Sequence, residues 1–219
     1  MELVDLERLA RCTACERLAQ HGCVMGRKHP GYFAKPVPAN GPRRSQILVV
    51  GLAPGLHGAF RTGKPFVGDA SGDLLYSTLY DLGLASCAEP TKARLRNVRI
   101  TNAVKCLPPG NAPAANEVNR CRSYLKAELN THAPVSGRKP RVVVSLGGTA
   151  YRSVARCWAK SALERPPQFA HGARHVVRPM VLHLASFHPS RLNINTGRID
   201  AARLRDVFQQ ALIFLAQTR

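Results

Sequence analysis

Short apolar runs bounded by turn-forming residues alternate along this sequence with segments of helical periodicity. This alternation is typical of strands and helices that build a parallel sheet with helices on its faces. It predicts an α/β fold, a three-layer α/β/α sandwich around a central, mainly four-stranded parallel sheet. The predicted strands span residues 46–52, 98–104, 141–146 and one stretch within 176–187. The predicted helices span residues 72–82, 116–129, 149–158 and 200–216.

The chain length limits the number of domains. At 219 residues the chain can bury one α/β core, but it is short for two large domains. We therefore expect a single domain over residues 1–219. The first 20 residues predict a short helix that is interrupted by paired cysteines.

The charge balance points to a polyanionic partner. The formal net charge is +19, from 32 Lys and Arg against 13 Asp and Glu, and nucleic acid is the leading candidate for such a charge. No apolar stretch approaches the roughly 20 residues that span a bilayer. The amino terminus also lacks the basic and then apolar pattern of a signal peptide. We therefore expect a cytoplasmic, nucleoid-associated protein with no membrane contact.

The segment VVGLAPGLHGAFRTGKPFVGDASG, residues 49–72, leaves a predicted strand and enters a glycine-rich loop. Such a loop could bind a nucleotide phosphate, but neither G-x-x-x-x-G-K-[ST] nor G-x-G-x-x-G occurs in it. A nucleotide-binding protein is therefore disfavoured. Ligands of open parallel sheets bind outside the carboxyl ends of the strands. We expect this loop to form one cleft with TNAVKCLPPGN, LGGTA and SFHPSRLN, which follow the other strands.

Four of the seven cysteines have a spacing that predicts a metal site. Cys12 and Cys15 form a C-x-x-C pair, Cys106 is predicted to end the second strand, and Cys121 lies in the next helix. Thiolates at this spacing suit either zinc or an iron–sulfur cluster, and the spacing does not separate the two. Ligands from both segments would fasten the amino-terminal segment to the domain. The other cysteines are expected to pack as small apolar side chains.

These motifs together resemble the uracil-DNA glycosylase superfamily: GLAPGLHG, RTGKPFVGDASGDLL, ITNAVKCLPP, the later Cys121 and FHPSRLN. The resemblance covers most of residues 10–195, and the motifs occur in the same order, each at a strand end. Leu52 favours family 5, or type b, because family 4 typically shows GEAPG. The resemblance implies an enzyme that removes uracil and other deaminated bases from DNA. It also implies that the four cysteines hold a structural 4Fe–4S cluster.

Several residues of the predicted cleft could bind an extruded base. Phe66 would stack on its flat ring, and the Asn102 amide would pair with the exocyclic oxygen and ring N–H of uracil. Gly51, Ala53 and Gly55 would leave space for the deoxyribose and for more than one base shape. Ordinary core packing of Phe66 and a turn or capping role of Asn102 are the alternatives.

Cleavage of the glycosidic bond leaves negative charge on the departing base and positive charge on the sugar. His188, in FHPS, is predicted to hydrogen-bond the anionic base oxygen, and Asn102 is counted with the catalytic residues. The aspartate that the superfamily's first group carries before the loop proline is replaced here by Ala53. Asp69, His57 or an unassisted water are therefore the candidates for the attack on the sugar. Asp69 could instead cap the following helix.

The loop HPSRLNINTG supplies the candidates for DNA binding, namely Ser190, Arg191 on phosphate, and Leu192 as an apolar wedge in the vacated stack. No lysine is obviously placed for Schiff-base chemistry, so we expect a monofunctional glycosylase that initiates base excision repair without strand cleavage. The Arg-Arg-Ile-His insertion of related covalent uracil-DNA binders is missing. We expect a monomer. A non-catalytic, metal-stabilised nucleic-acid-binding module is the alternative from another class.

Overall fold

The computed structural model describes residues 3–132, 141–159, 161 and 166–217. Within these residues one sheet contains the strands β1 (Ile47–Gly51), β2 (Val98–Asn102), β3 (Arg141–Leu146), β4 (Arg174–Arg178) and β5 (Val181–Ser186). The strand order is β2-β1-β3-β5-β4. Strands β2, β1, β3 and β5 run parallel, whereas β4 pairs antiparallel with β5 at the edge. The predicted parallel sheet is therefore confirmed.

The helices found in the same residues are α1 (Leu3–Ala10), α2 (Glu16–Lys28), α3 (Ala59–Thr62), α4 (Ala70–Asp81), α5 (Ala115–His132), α6 (Gly148–Trp158), α7 (Arg191–Asn195) and α8 (Ala201–Gln217). A 3₁₀ turn spans Pro109–Asn111. The predicted split of the amino-terminal helix is confirmed, since the C-x-x-C pair lies between α1 and α2. Among the described helices, none is both long enough and apolar enough to cross a membrane.

The alternation of side chains along β1 creates the two cores of the sandwich. Ile47 and Val49 pack with residues of α4 and α8 on one face of the sheet. Leu48 and Val50 pack with residues of α5 and α6 on the opposite face. Because successive residues of a strand point to opposite faces, one fully apolar strand serves both layers. The predicted three-layer α/β/α sandwich is confirmed.

The strand predicted within residues 176–187 is confirmed as β5, but the sequence interpretation missed β4, which precedes it and forms a hairpin with it. The chain reverses after Pro179, and Met180 adopts a left-handed backbone conformation with a φ of 69°. All residues of β5 are buried, whereas β4 alternates between exposed and half-buried positions. Strand β4 therefore lies at the edge, with Val176 62% exposed, and its valines extended the apolar run of β5 in the sequence.

Polar contacts hold the amino-terminal helices against α5. The Arg17 guanidinium donates two hydrogen bonds to the Glu117 carboxylate, at 2.8 and 2.6 Å. The Arg120 side chain donates to the carbonyl oxygen of Ala14 at 2.9 Å. A bidentate pair of this kind fixes orientation as well as distance. The segment that carries Cys12 and Cys15 is thereby brought next to the α5 cysteine.

A buried ion pair fixes the chain that leaves β2. Lys105 is fully buried, and its Nζ donates to Oε2 of Glu128 at 2.7 Å and to Oγ1 of Thr101 at 2.6 Å. A buried charge is tolerated when it is paired in this way. The pairing connects the segment after β2 to α5 and keeps the Lys105 side chain in the interior of the protein.

Candidate active site

A cleft of about 610 Å³ opens at the carboxyl ends of β1, β2 and β5. Its walls come from the loop after β1, the start of α4, the ends of β2 and β5, and the start of α7. The lining residues are 52–53, 55–59, 66, 68–71, Asn102, Asn111, His188, Ser190 and Arg191. The sequence predicted that these strand-end motifs share one cleft, and the structure brings them together. LGGTA contributes no residue to the described walls. A Cβ added at Gly147 would lie 3.4 Å from Cβ of His188, so this motif packs against the histidine from outside the cleft wall.

Gly51 is the floor on which the two predicted base-binding side chains rest. A Cβ at Gly51 would collide with Oδ1 of Asn102 and with the ring of Phe66, so both side chains lie directly over its backbone. Asn102 is 2% exposed at the end of β2, and its amide has no hydrogen-bond partner within the described protein. An aromatic ring and an unpaired amide therefore meet at one point of the cleft, where a planar heterocycle could stack and form hydrogen bonds.

Phe66 is held in an uncommon backbone conformation. Its φ is 56°, in the left-handed region that residues other than glycine rarely adopt. A Cβ on Gly72 would collide with the carbonyl oxygen of Phe66, so the start of α4 packs directly against this peptide. The ring is 6% exposed. Phe66 is thus a core side chain that also lines the cleft, and the two interpretations of the sequence are both compatible with its position.

His188 lies next to Phe66 in the wall of the cleft. The ring centroids lie 5.5 Å apart, with an angle of 32° between the planes. Burial lowers the pKa of His188, and the negative charge of Asp69 only partly opposes this shift. The imidazole is therefore neutral at neutral pH, and one of its nitrogens carries a proton that it can donate to a bound ligand.

Asp69 has one oxygen in a helix cap and one near the cleft loop. Oδ1 accepts a hydrogen bond from the backbone N–H of Gly72 at 3.0 Å, so Asp69 is the N-cap of α4. Oδ2 lies over Gly58, where a Cβ would collide with it, and 3.6 Å from the Cβ position of Gly55. The capping alternative is confirmed, while the second oxygen leaves the catalytic role open as a prediction.

The remaining predicted residues lie on the rim and the floor of the cleft. Ala53 and Gly55 line it, and His57 is exposed on its rim with Nδ1 2.9 Å from the hydroxyl oxygen of Tyr32.

Ser190 caps α7 by accepting a hydrogen bond from Asn193 N–H. The prediction of a loop at HPSRLNINTG is therefore wrong for residues 191–195, which form the short helix α7. Leu192, 70% exposed on this helix, projects into solvent.

Two contributions to the cleft were missed by the sequence interpretation. Asn111 lines it from the 3₁₀ turn, with a φ of 58°; the PPGN sequence is a turn signal, but it does not say where the turn points. Tyr32, which contacts His57, lies in a segment that was interpreted only as a connection. Its single tyrosine between turn residues gave no periodic signal.

The four predicted metal ligands line one small cavity of about 20 Å³ between the amino-terminal segment and α5: Cys12, Cys15, Cys106 and Cys121. Burial, followed by the nearby cysteine charges, raises the pKa of Cys106 to about 12. Burial also raises the pKa of Cys121 to about 11. Strand β2 ends at Asn102, so the prediction that Cys106 ends a strand is wrong. No described group of three or more His, Cys, Asp and Glu side chains is arranged around a single ion.

Fold and site together define an α/β protein with a cleft at the strand ends, lined by an aromatic ring and an amide, and a separate four-cysteine cavity. The family model for the uracil DNA glycosylase superfamily matches residues 38–213. The chain belongs to this superfamily, as the sequence motifs predicted.

Type-5 uracil-DNA glycosylases are similar to this chain over nearly its whole length. The protein of Mycobacterium leprae is 38% identical, covering 93% of this chain and 91% of its own. That of Thermus thermophilus is 39% identical, covering 94% of both chains. A type-4 enzyme of Archaeoglobus fulgidus is 38% identical over 51% of this chain and 48% of its own. The prediction of family 5 rather than family 4 is therefore confirmed.

Proposed function

We propose that this protein is a monofunctional DNA glycosylase that extrudes uracil, and other deaminated bases, from DNA and hydrolyses the N-glycosidic bond. This step initiates base excision repair. The observation that carries the proposal is the placement of Phe66, Asn102 and His188 in one cleft, with Phe66 and Asn102 over the backbone of Gly51 and His188 beside Phe66. We further propose that the enzyme acts as a single-domain monomer on nucleoid DNA in the cytoplasm.

Base recognition is assigned to Phe66 and Asn102, which lie together in the cleft. The Phe66 ring would stack on the extruded base, an interaction worth about 1–3 kcal/mol per base. The unpaired Asn102 amide would accept from the ring N–H of uracil and donate to its exocyclic oxygen, whereas cytosine presents the opposite pattern. The small residues Ala53 and Gly55 would leave room for the deoxyribose. A base with the wrong hydrogen-bond pattern would leave the buried Asn102 amide unpaired, and the cost of this would weaken binding of that base.

Leaving-group stabilisation is assigned to His188. As the glycosidic bond lengthens, negative charge accumulates on the oxygen of the departing base. A neutral imidazole that already lies beside that oxygen can donate its N–H hydrogen bond as the charge develops, without having to reorient first. The partly desolvated surroundings that lower the pKa of His188 would also strengthen this contact relative to one in bulk water.

Water attack is assigned to Asp69. One carboxylate oxygen is held by the cap of α4, so the other has a fixed direction toward Gly55 and Gly58. A carboxylate in this position would orient a water molecule and favour positive charge on the sugar. Since the described walls of the cleft contain no lysine, no amine is available there to form a Schiff base, which supports release of the base without strand cleavage.

DNA binding is assigned to the start of α7 and to the basic surface around the cleft. Arg191 and Ser190 line the mouth of the cleft, where they would contact the backbone phosphates beside the extruded nucleotide. Leu192 extends from the same short helix and would fill the space left in the base stack. Such insertion offsets part of the cost of extrusion, which is a few kcal/mol.

We propose that the four-cysteine cavity holds a 4Fe–4S cluster with a structural role. The donor set fits, because soft thiolates suit iron–sulfur clusters and the cavity wall between them includes the apolar Leu9 and Leu18. Burial would keep Cys106 and Cys121 as neutral thiols in the absence of a metal. A bound cluster favours their thiolate forms and would fasten α1 and α2 to α5.

The variant Cys121→Ser is expected to lose its bound iron and acid-labile sulfide. Serine removes one thiolate from the set while it changes little in volume. Cys157→Ser is the matched control, because Cys157 is also 9% exposed but packs in the core between the sheet and α6. Iron, zinc and sulfide are measured after anaerobic purification. Zinc without iron in the parent protein would contradict the cluster.

The function is tested with a duplex that contains one uracil, incubated with the purified protein and then treated with alkali. We expect cleavage at the uracil position only after the alkali step, since the glycosylase leaves an abasic site in an intact strand. Single-turnover rates on uracil, hypoxanthine, xanthine and ethenocytosine, in single- and double-stranded DNA, then rank the substrates. Strands that stay intact despite tight binding would favour the non-catalytic nucleic-acid-binding module.

A further inference from the structure

Three aromatic rings meet at the rim of the cleft, and none of them has a role in the proposed base recognition or catalysis. His29 and Tyr32 are stacked, with ring centroids 4.8 Å apart and planes inclined by 18°. His57 stands almost perpendicular to both rings, at 87° to His29 and 84° to Tyr32. The Tyr32 hydroxyl oxygen lies 2.9 Å from Nδ1 of His57. The exposed His57 is therefore held by two neighbours rather than free to rotate.

The segment that supplies two of these rings is itself anchored to the cleft. The backbone N–H of Phe33 donates to the carbonyl oxygen of Arg61 at 3.0 Å, and that of Ala34 donates to Phe60 at 3.1 Å. These bonds dock the chain after α2 against α3, which begins two residues after His57. The position of Tyr32 relative to the cleft is thus set by main-chain hydrogen bonds.

The hydrogen bond to Tyr32 determines which nitrogen of His57 is available to a ligand. A phenol is more acidic than a neutral imidazole, so the Tyr32 O–H is the better donor and Nδ1 the better acceptor. This arrangement places the imidazole proton on Nε2. With Nδ1 engaged, Nε2–H is the nitrogen that His57 can offer to a ligand, and it acts there as a donor.

The charge of this part of the chain favours an anion as the acceptor. From Arg17 to Gly68 the sequence contains no acidic residue, while Arg27 and Lys28 directly precede His29. A donor on an exposed rim in such a segment is suited to a phosphate oxygen of DNA. A general base for water would instead need an unprotonated nitrogen directed at the sugar.

We propose that His57 binds a backbone phosphate beside the extruded nucleotide through Nε2–H, and that Tyr32, stacked on His29, is its positioning residue. This inference rests on the proposed function. It gives His57 a role in substrate binding in place of water activation, which is left to Asp69. It also makes the segment after α2 a part of the substrate-binding surface.

The test compares Tyr32→Phe, His57→Ala and the double variant. Their affinity is measured by fluorescence anisotropy on a duplex with 2′-fluoroarabino-uridine, whose fluorine slows glycosidic cleavage. Removal of one hydrogen-bond partner is expected to weaken binding about 2- to 12-fold for Tyr32→Phe. His57→Ala should weaken it about 10-fold or more, since a hydrogen bond to a charged acceptor is stronger. The double variant should bind no more weakly than His57→Ala, because the tyrosine acts through the histidine.

A second series replaces single phosphates near the uracil by neutral methylphosphonates. At one position the replacement should weaken binding of the parent clearly more than binding of His57→Ala. Tyr80→Phe is the matched control, since Tyr80 is 49% exposed near the far end of α4, and it should bind like the parent. Parent-like affinity of Tyr32→Phe, or a loss that appears in the saturating single-turnover rate instead of the affinity, would overturn the inference. A parent that binds the duplex but excises no uracil would overturn the proposed function instead.

Discussion

The variant His188→Ala should excise uracil about 10²- to 10³-fold more slowly than the parent in single turnover, the usual cost of losing a fixed donor to a developing anion. The physical reason is that the donor acts on charge that appears only as the base departs. Affinity for uracil DNA should change much less, because the ground-state base carries no such charge. Rate and affinity are measured separately, with enzyme in excess of DNA.

The structure indicates that this variant keeps the surrounding loop in place. The carbonyl oxygen of His188 accepts hydrogen bonds from Ser190 N–H and from Asn193 Nδ2, both at 2.8 Å. These contacts involve the main chain of residue 188 and do not need its ring. His188→Gln, which offers an amide donor in place of the imidazole, should recover part of the rate. Parent-like excision by His188→Ala would mean that backbone groups stabilise the leaving base.

The pH dependence provides an independent check on the same residue. Burial lowers the pKa of His188 below its ordinary value near 6.5, so the neutral form persists into mildly acidic solution. The His188-dependent part of the excision rate should therefore show no inflection at the ordinary histidine pKa. If the imidazolium were the active form, the rate would instead rise as the pH falls toward the lowered pKa of His188.

The sequence was sufficient for the parallel sheet and for most of the cleft, because both depend on local patterns. The apolar run that forms β1 can be buried on both faces only in the middle of a layered fold. Asn102 ends one strand and His188 follows another, and the carboxyl ends of these parallel strands must meet at one edge, so their proximity followed from topology. The four cysteines were grouped by their spacing in the sequence, and the fold brings the segments that carry them to one cavity.

Other features depend on contacts that no local pattern encodes. Phe66 has a left-handed φ and its peptide packs closely against Gly72, a contact that depends on tertiary packing rather than on a periodic pattern. Tyr32 acquires its importance only because the turn after α2 docks on α3. The edge strand β4 was merged with β5 because Val176 is apolar although exposed. In each case tertiary structure, rather than periodicity, decides the outcome.

Substitutions at Asp69 should separate two functions that one side chain combines. Asn and Ser both remain good N-cap residues, so Asp69→Asn and Asp69→Ser should preserve the cap that Oδ1 now forms with Gly72 N–H. Both variants lack the negative oxygen that lies over Gly58. We expect both to excise uracil about 10²- to 10⁴-fold more slowly than the parent, the range for loss of a positioned general base, with thermal unfolding close to that of the parent.

Asp69→Ala completes the comparison, because it removes the cap as well as the charge. Its rate should match that of Asp69→Ser, but it should be less stable by about 1 kcal/mol, the usual cost of losing an N-cap. Stability is followed by urea unfolding and rate by single turnover. If the carboxylate only capped α4, rate and stability would fall together, and Asp69→Asn would retain the full rate. A slow Asp69→Asn with parental stability would instead assign the water to the second oxygen, leaving His57 free for the DNA backbone.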